Sequence, residues 1–237
     1  MMLCAGAYLA PYLFMSGWWR FIPSTFVILA AGTLAMGREA TTFFGLRASK
    51  RDALAALALL VGSVAASRYV LTDYVGTYLE VVRTATVRSH VHQFFQVLND
   101  ELIMRAALLT LVLVIIRSAT AAIILAAAFF ALTHSIFYSA TSMQAGTLLT
   151  LFSLGVIGNT LFVAFRHIWY GFSLHFAWNV YRFNTRYYLD GRGLWEGESF
   201  NYIEGNDWIV LGSVLAMLAV YGTYVSQAGR RSRAPAA

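Results

Sequence analysis

The run Leu98-Asn99-Asp100-Glu101-Leu102-Ile103-Met104-Arg105-Ala106-Ala107-Leu108-Leu109-Thr110-Leu111-Val112-Leu113-Val114-Ile115-Ile116 sets the fold class. From Ala106 onward Thr110 is its one polar residue, the composition of a membrane-spanning helix. Its opening nevertheless holds two carboxylates and a guanidinium. A charge at bilayer depth costs roughly 2.5–3.5 kcal/mol even on the lenient insertion scale, so such groups turn toward a bundle interior and by default serve function.

The rest of the chain has the same character. Of 237 residues, 59% are hydrophobic and 12% charged, and the mean hydropathy is +0.64. A soluble domain carries about 25% charge. The expected fold is all-α, a polytopic membrane helix bundle of about eight transmembrane helices. Apolar runs at 3–18, 22–36, 54–72, 94–116, 120–138, 146–165, 168–182 and 208–226 mark the spans. They leave no room for a soluble domain, so residues 1–237 read as a single integral membrane domain. Its motif-bearing core covers about 94–182, and 227–237 form a basic cytoplasmic tail. The first run lacks a basic segment before it and reads as a retained helix. The single cysteine, Cys4, excludes an internal disulfide and a cysteine-rich metal site.

The net charge of +6 does not point to nucleic acid, because the basic residues sit in short loops between apolar runs. Eight spans put Arg38, Arg47, Lys50, Arg51, Arg117, Arg166, Arg230, Arg231 and Arg233 on one side, with only Glu39 and Asp52 against them. The opposite loops balance near neutrality. The positive-inside rule then sets both termini in the cytoplasm, in what reads as a bacterial inner membrane. Segment 38–51 is expected as an interfacial helix with Phe43, Phe44 and Leu46 at the headgroups. Segment 183–207 is the longest polar loop, expected to cap the bundle or receive substrate.

Three motifs carry chemistry-bearing groups. Glu101 and Arg105 are i,i+4 with the acid N-terminal, a favourable ion-pair order, and Asp100 points about 100° around the helix from Glu101. At the opening of a span, both acids would also meet the positive end of the helix dipole. Phe130-x-x-x-His134 ends the fifth span, and His175-x-x-x-Asn179 shares one face of the seventh. Each has a structural alternative: a capping acid with one ion pair, a packed histidine, an interhelical hydrogen-bonded pair. His90, His92 and His167 flank spans in loop-like sequence and read as solvated. Ser139, Ser142 and Ser173 lack the Gly-x-Ser-x-Gly setting of a serine nucleophile.

The ordered set of motifs, acid-acid-x-x-x-Arg, Phe-x-x-x-His and His-x-x-x-Asn on successive membrane helices, resembles the CPBP family. These are the CAAX-processing and bacteriocin-processing intramembrane proteases, also called ABI. The stretches Leu151–Gly155 and Arg166–Asn179 resemble its third-motif region, and the likeness covers about residues 95–182. The family usually has Glu-Glu at the first motif where this chain has Asp100-Glu101, and often glycine where it has Ala106.

The resemblance implies peptide-bond hydrolysis by activated water. Asp100, or Glu101 in an adapted register, would hold and deprotonate the water together with His134. His175 and Asn179 would hydrogen-bond the oxyanion, and Arg105 would fix Glu101. It implies no cofactor and no metal. Two imidazoles and a carboxylate could otherwise hold zinc, although the chain contains no His-Glu-x-x-His. The expected partners are membrane lipid and a peptide or membrane-protein substrate. A non-catalytic peptide-binding or immunity factor on the same bundle is the alternative, and a proton-coupled transporter a third.

Overall fold

The computed structural model describes residues 21–137 and 144–233. The first expected span with Cys4, residues Ser139 and Ser142, and the last four residues lie outside them. The chain is a helical membrane bundle. The helices are α1 (Phe21–Met36), the short α2 (Ala40–Phe43), α3 (Lys50–Arg68), α4 (Val87–Asp100), α5 (Thr110–Ile116), α6 (Ala119–Phe137), α7 (Ala145–Phe165), α8 (Trp169–Phe183), α9 (Glu196–Ile203) and α10 (Asp207–Arg233). A π-helical stretch, Glu101–Leu109, joins α4 to α5, and another, Tyr69–Tyr74, extends α3. Each of the seven expected spans within the described residues falls on helix. Helix α10 runs on through 227–233, where a tail was expected.

Among the described residues, four helices are long and apolar enough to cross a membrane: Phe21–Phe43, Lys50–Thr77, Ala145–Phe165 and Asp207–Ala228. The helices bearing Asp100–Arg105 and His175–Asn179 are not among them. The first is interrupted by the polar side chains of interest, and α8 has only 15 residues.

Two compact units emerge from the packing. The first comprises 21–110 and 167–194, where α1 packs on α4, and α8 on both α3 and α4. A small antiparallel sheet, ordered β1-β2-β3, joins them: β1 (Glu80–Arg83), β2 (Thr185–Leu189) and β3 (Arg192–Gly193). β2 and β3 form a hairpin through Asp190 (φ +52°) and Gly191 (φ +75°), the left-handed pair that a two-residue turn requires. The expected polar loop 183–207 is therefore ordered in its first half as a β-hairpin. Its second half contains α9, in the other unit.

In the linker before α3, one of the residues expected at the headgroups is covered by protein. Phe44 is buried and meets Phe43 edge-on. Gly45 O accepts from Ile168 N at 3.0 Å, and Leu46 O accepts from Trp169 Nε1 at 2.9 Å. These bonds hold the linker onto the start of α8.

The second unit comprises 111–166 and 195–233 of the described residues. Helix α7 packs on α6 and α10 around Ile123, Ala127 and Val156. Polar bonds inside it fasten backbone groups that lipid could not satisfy. Asn159 Nδ2 donates to Ile123 O at 3.1 Å, and the Thr150 hydroxyl donates to Glu204 O at 2.7 Å.

Candidate active site

Helix α4 starts well before the acids. Thr86 caps it: its hydroxyl accepts from Ser89 N, and Ser89 Oγ accepts from Thr86 N. Asp100 lies 13 residues after Val87, about 20 Å along the helix axis. The acids are thus interior to a helix, and the dipole stabilisation expected at a span opening does not reach them. The capping-acid alternative falls for the same reason.

From its second turn onward α4 buries polar groups instead of exposing them. His92, Gln93, Gln96 and Asn99 are all buried, and Asn99 Nδ2 donates to Ser24 Oγ at 2.9 Å. His92, expected to be solvated, meets the Phe21 ring edge-on at 5.4 Å. His167, also expected to be solvated, is buried at the start of α8.

At Glu101 the winding changes to π. Such turns occur frequently at functional sites. Glu101 is fully buried. Its Oε1 accepts from Arg105 Nη1 and lies 3.1 Å from His175 Nδ1. A carboxylate paired with a guanidinium is an acceptor only, so Nδ1 carries the ring proton and donates it. In the neutral ring the lone pair is then on Nε2. Glu101 Oε2 accepts no hydrogen bond from the described residues.

Gly171, one turn before His175, makes this approach possible. A Cβ there would stand 2.7 Å from Glu101 Oε2 and 3.4 Å from Arg105 Nε. Only a glycine lets α8 come this close to the ion pair. Gly171 is not among the expected site residues, although a glycine four residues before a histidine on a helix is a readable sign of close backbone approach.

Asp100 is partly buried, and His175, Glu101 and Arg105 all act on it electrostatically. Asn179 is buried one turn beyond His175 and does not join the Glu101 contacts. The first unit therefore gathers Glu101, Arg105 and His175, with Asp100 alongside. His134 belongs to the second unit, in the last turn of α6. Its Nδ1 lies 2.8 Å from Phe130 O, and its ring sits 4.3 Å from the Phe130 ring. A carbonyl can only accept, so Nδ1 donates and Nε2 holds the lone pair of the neutral ring.

For a cation, Glu101 and His175 offer one carboxylate and one imidazole. Catalytic zinc sites use three protein ligands. Among the described residues no three His, Cys, Asp or Glu side chains gather as a metal-ligand group.

A second polar cluster occupies the start of α8. Asp52 accepts from Ser49 Oγ at 2.6 Å and from Tyr170 OH at 3.1 Å, and His167 Nε2 lies 4.0 Å from its carboxylate. Burial pulls the His167 pKa below its ordinary value, and the Asp52 charge partly opposes that.

Comparison with known proteins adds one match. Residues 84–181 match the family model described as type II CAAX prenyl endopeptidase Rce1-like. No curated protein and no solved structure matches the chain. The matched segment spans all three motifs, and its description agrees with the resemblance that those motifs carry.

Proposed function

We propose that the protein is an intramembrane endopeptidase that hydrolyses a peptide bond of a membrane-associated protein or exported peptide. The observation that carries this reading is the buried Glu101–His175 pair, closed by Arg105 and admitted by Gly171. A membrane bundle gains little from burying such a network for packing alone, because the cost of taking its charges out of water offsets most of their attraction.

The two acids divide the work. Glu101 gives Oε1 to both Arg105 and His175, so it orients the imidazole. Asp100, half-buried beside Glu101, is the acid suited to take a proton from water; His134 enters the proposal through the motif resemblance alone. Water adds to the scissile carbonyl carbon and its proton passes to Asp100. The C–N bond then breaks as that proton is delivered to the leaving amine. The oxyanion that forms between those steps is assigned hydrogen bonds from the Asn179 amide and from His175, which donates there only once its Nε2 has taken up a proton. No metal or cofactor is required. With both termini cytoplasmic, the site is served from the outer leaflet of a bacterial inner membrane, which suits an exported peptide or a membrane-protein tail.

The test uses the purified protein in detergent with membrane-tail peptides and the variants Asp100→Ala, Glu101→Ala, His134→Ala and His175→Ala. Each variant should lose turnover about 100-fold or more, and chelator should leave the wild type unchanged. Wild-type cleavage that survives all four changes refutes the site. Binding without cleavage would instead favour the peptide-binding or immunity alternative, and inhibition by chelator would favour zinc.

A further inference from the structure

The strands of the first unit are direct extensions of the helices that meet at Glu101 and His175. β1 passes through residues 84–86 into α4, and α8 reaches β2 across Asn184 alone. The register fixes which backbone groups of β1 stay open. Thr84 N donates to Asn184 O at 2.8 Å, and bonded and non-bonded pairs alternate along antiparallel strands. Val81 opposite Tyr187 and Arg83 opposite Thr185 are therefore non-bonded pairs. The N–H and C=O of Val81 and Arg83 point away from β2. In the order β1-β2-β3 this is an edge, and no backbone group of the described residues bonds to it. Val82, Arg83 and Thr84 are exposed.

Natural edges are usually blunted by proline, by a bulge, or by charge projecting across them. β1 has neither proline nor bulge. The Arg83 guanidinium stacks 4.8 Å from the Tyr181 ring centroid, turned toward α8. Around the edge, residues 80–92 and 182–192 hold four exposed arginines, at 83, 88, 186 and 192, against Glu80 and Asp190. Such a field attracts an acidic partner. Depth also fits. His175 precedes the end of α8 at Phe183 by eight residues, about 12 Å. An extended chain covers that in about four residues.

We infer that the open edge of β1 takes up an extended, acidic segment of the peptide substrate as an added strand, a few residues from the bond presented to His175. This rests on the peptidase reading for the identity of its occupant. Backbone pairing supplies the affinity, so recognition tolerates varied side chains, as in other cases of strand addition.

The test reads binding rather than cleavage, with the full-length protein in nanodiscs. The probe is a fluorescein-labelled acidic octapeptide of alternating valine and threonine. Two backbone N-methylated versions, one for each alternate set of residues, accompany it. Val81→Pro removes an outward N–H and leaves the β2 ladder intact. Val81→Pro and one of the two N-methylated peptides should each weaken binding about tenfold, and a lysine-rich counterpart should bind more weakly than the acidic probe. The methylated peptides act on unaltered protein, so the result does not depend on a variant folding. If the probe fails to bind, or if both methylated versions bind as tightly as the parent, the inference is overturned. Selective binding by a chain that cleaves nothing supports the edge and removes only the peptidase reading. Cleavage with a KM indifferent to N-methylation does the reverse.

Discussion

Two histidines eight residues apart, one just before helix α8 and one within it, each face an acid from another segment: His167 with Asp52 of α3, and His175 with Glu101 next to α4. The pairs are built differently. Asp52 keeps 31% of its side chain exposed and is held by Ser49 and Tyr170 hydroxyls, with His167 at the limit of ionic contact. Glu101 is sealed from solvent, bonded directly to its histidine, and supplied with its own guanidinium. The first pair fastens α3 to α8 where solvent can still relieve a mismatch. The second holds charge where nothing but the protein can stabilise it. Architecture alone explains the first arrangement; the second is the one the proposed chemistry uses.

The comparison breaks most sharply at the counter-ion. Arg105→Leu leaves Glu101 buried without compensation and should cost about 3–5 kcal/mol, read as a lowered unfolding midpoint in detergent. Asp52→Asn should leave that midpoint close to the wild type. Next is the contact at Gly171. Gly171→Ala drives a methyl into Glu101 Oε2 and should lower peptide turnover about 100-fold. Gly62→Ala on α3, where a Cβ meets nothing within 4 Å, should leave turnover unchanged.

Smaller effects test the fastening end. The Ser173 hydroxyl donates to Ala56 O at 2.9 Å, and Ser173→Ala should cost about 0.5–1.5 kcal/mol of stability with little change in turnover. The least effect belongs to His167. Its folded pKa lies below the unfolded value of about 6.5, so the unfolded chain binds its proton first as pH falls. The contribution of His167 is intact above that value and is lost as pH drops toward the folded pKa. Thermal unfolding from pH 7.5 to 5 should show a decline that His167→Gln reduces.

Much of this was legible in the sequence. Apolar runs located the helices, and the spacings of Glu101 with Arg105 and of His175 with Asn179 set each pair on a common face. The start of α4 was not legible. Val87-Arg88-Ser89-His90-Val91-His92-Gln93 reads as a polar loop by hydropathy. It is helical because Thr86 caps it and because His92 and Gln93 are buried in its second turn, while Asn99 further along finds Ser24 and Thr25 on α1. The π winding after Asp100 leaves no compositional trace, since it reflects which hydrogen bonds the packed helix adopts. Gly171 carried a signal that periodicity alone passes over, because a missing side chain reads as neutral until its neighbour is known. The sheet escaped because β1 and β2 are far apart in sequence and Tyr187 and Tyr188 suit an interfacial loop equally well.

The most direct measurement sets the two histidines against each other in one cleavage assay on a membrane-tail peptide, with protein quantity and folding matched. His175→Ala should reduce kcat at least about 100-fold, and His167→Ala should retain most of the wild-type rate. Wild-type turnover by His175→Ala, or equal loss from both changes, would contradict the assignment of the buried Glu101–His175 pair as the hydrolytic centre.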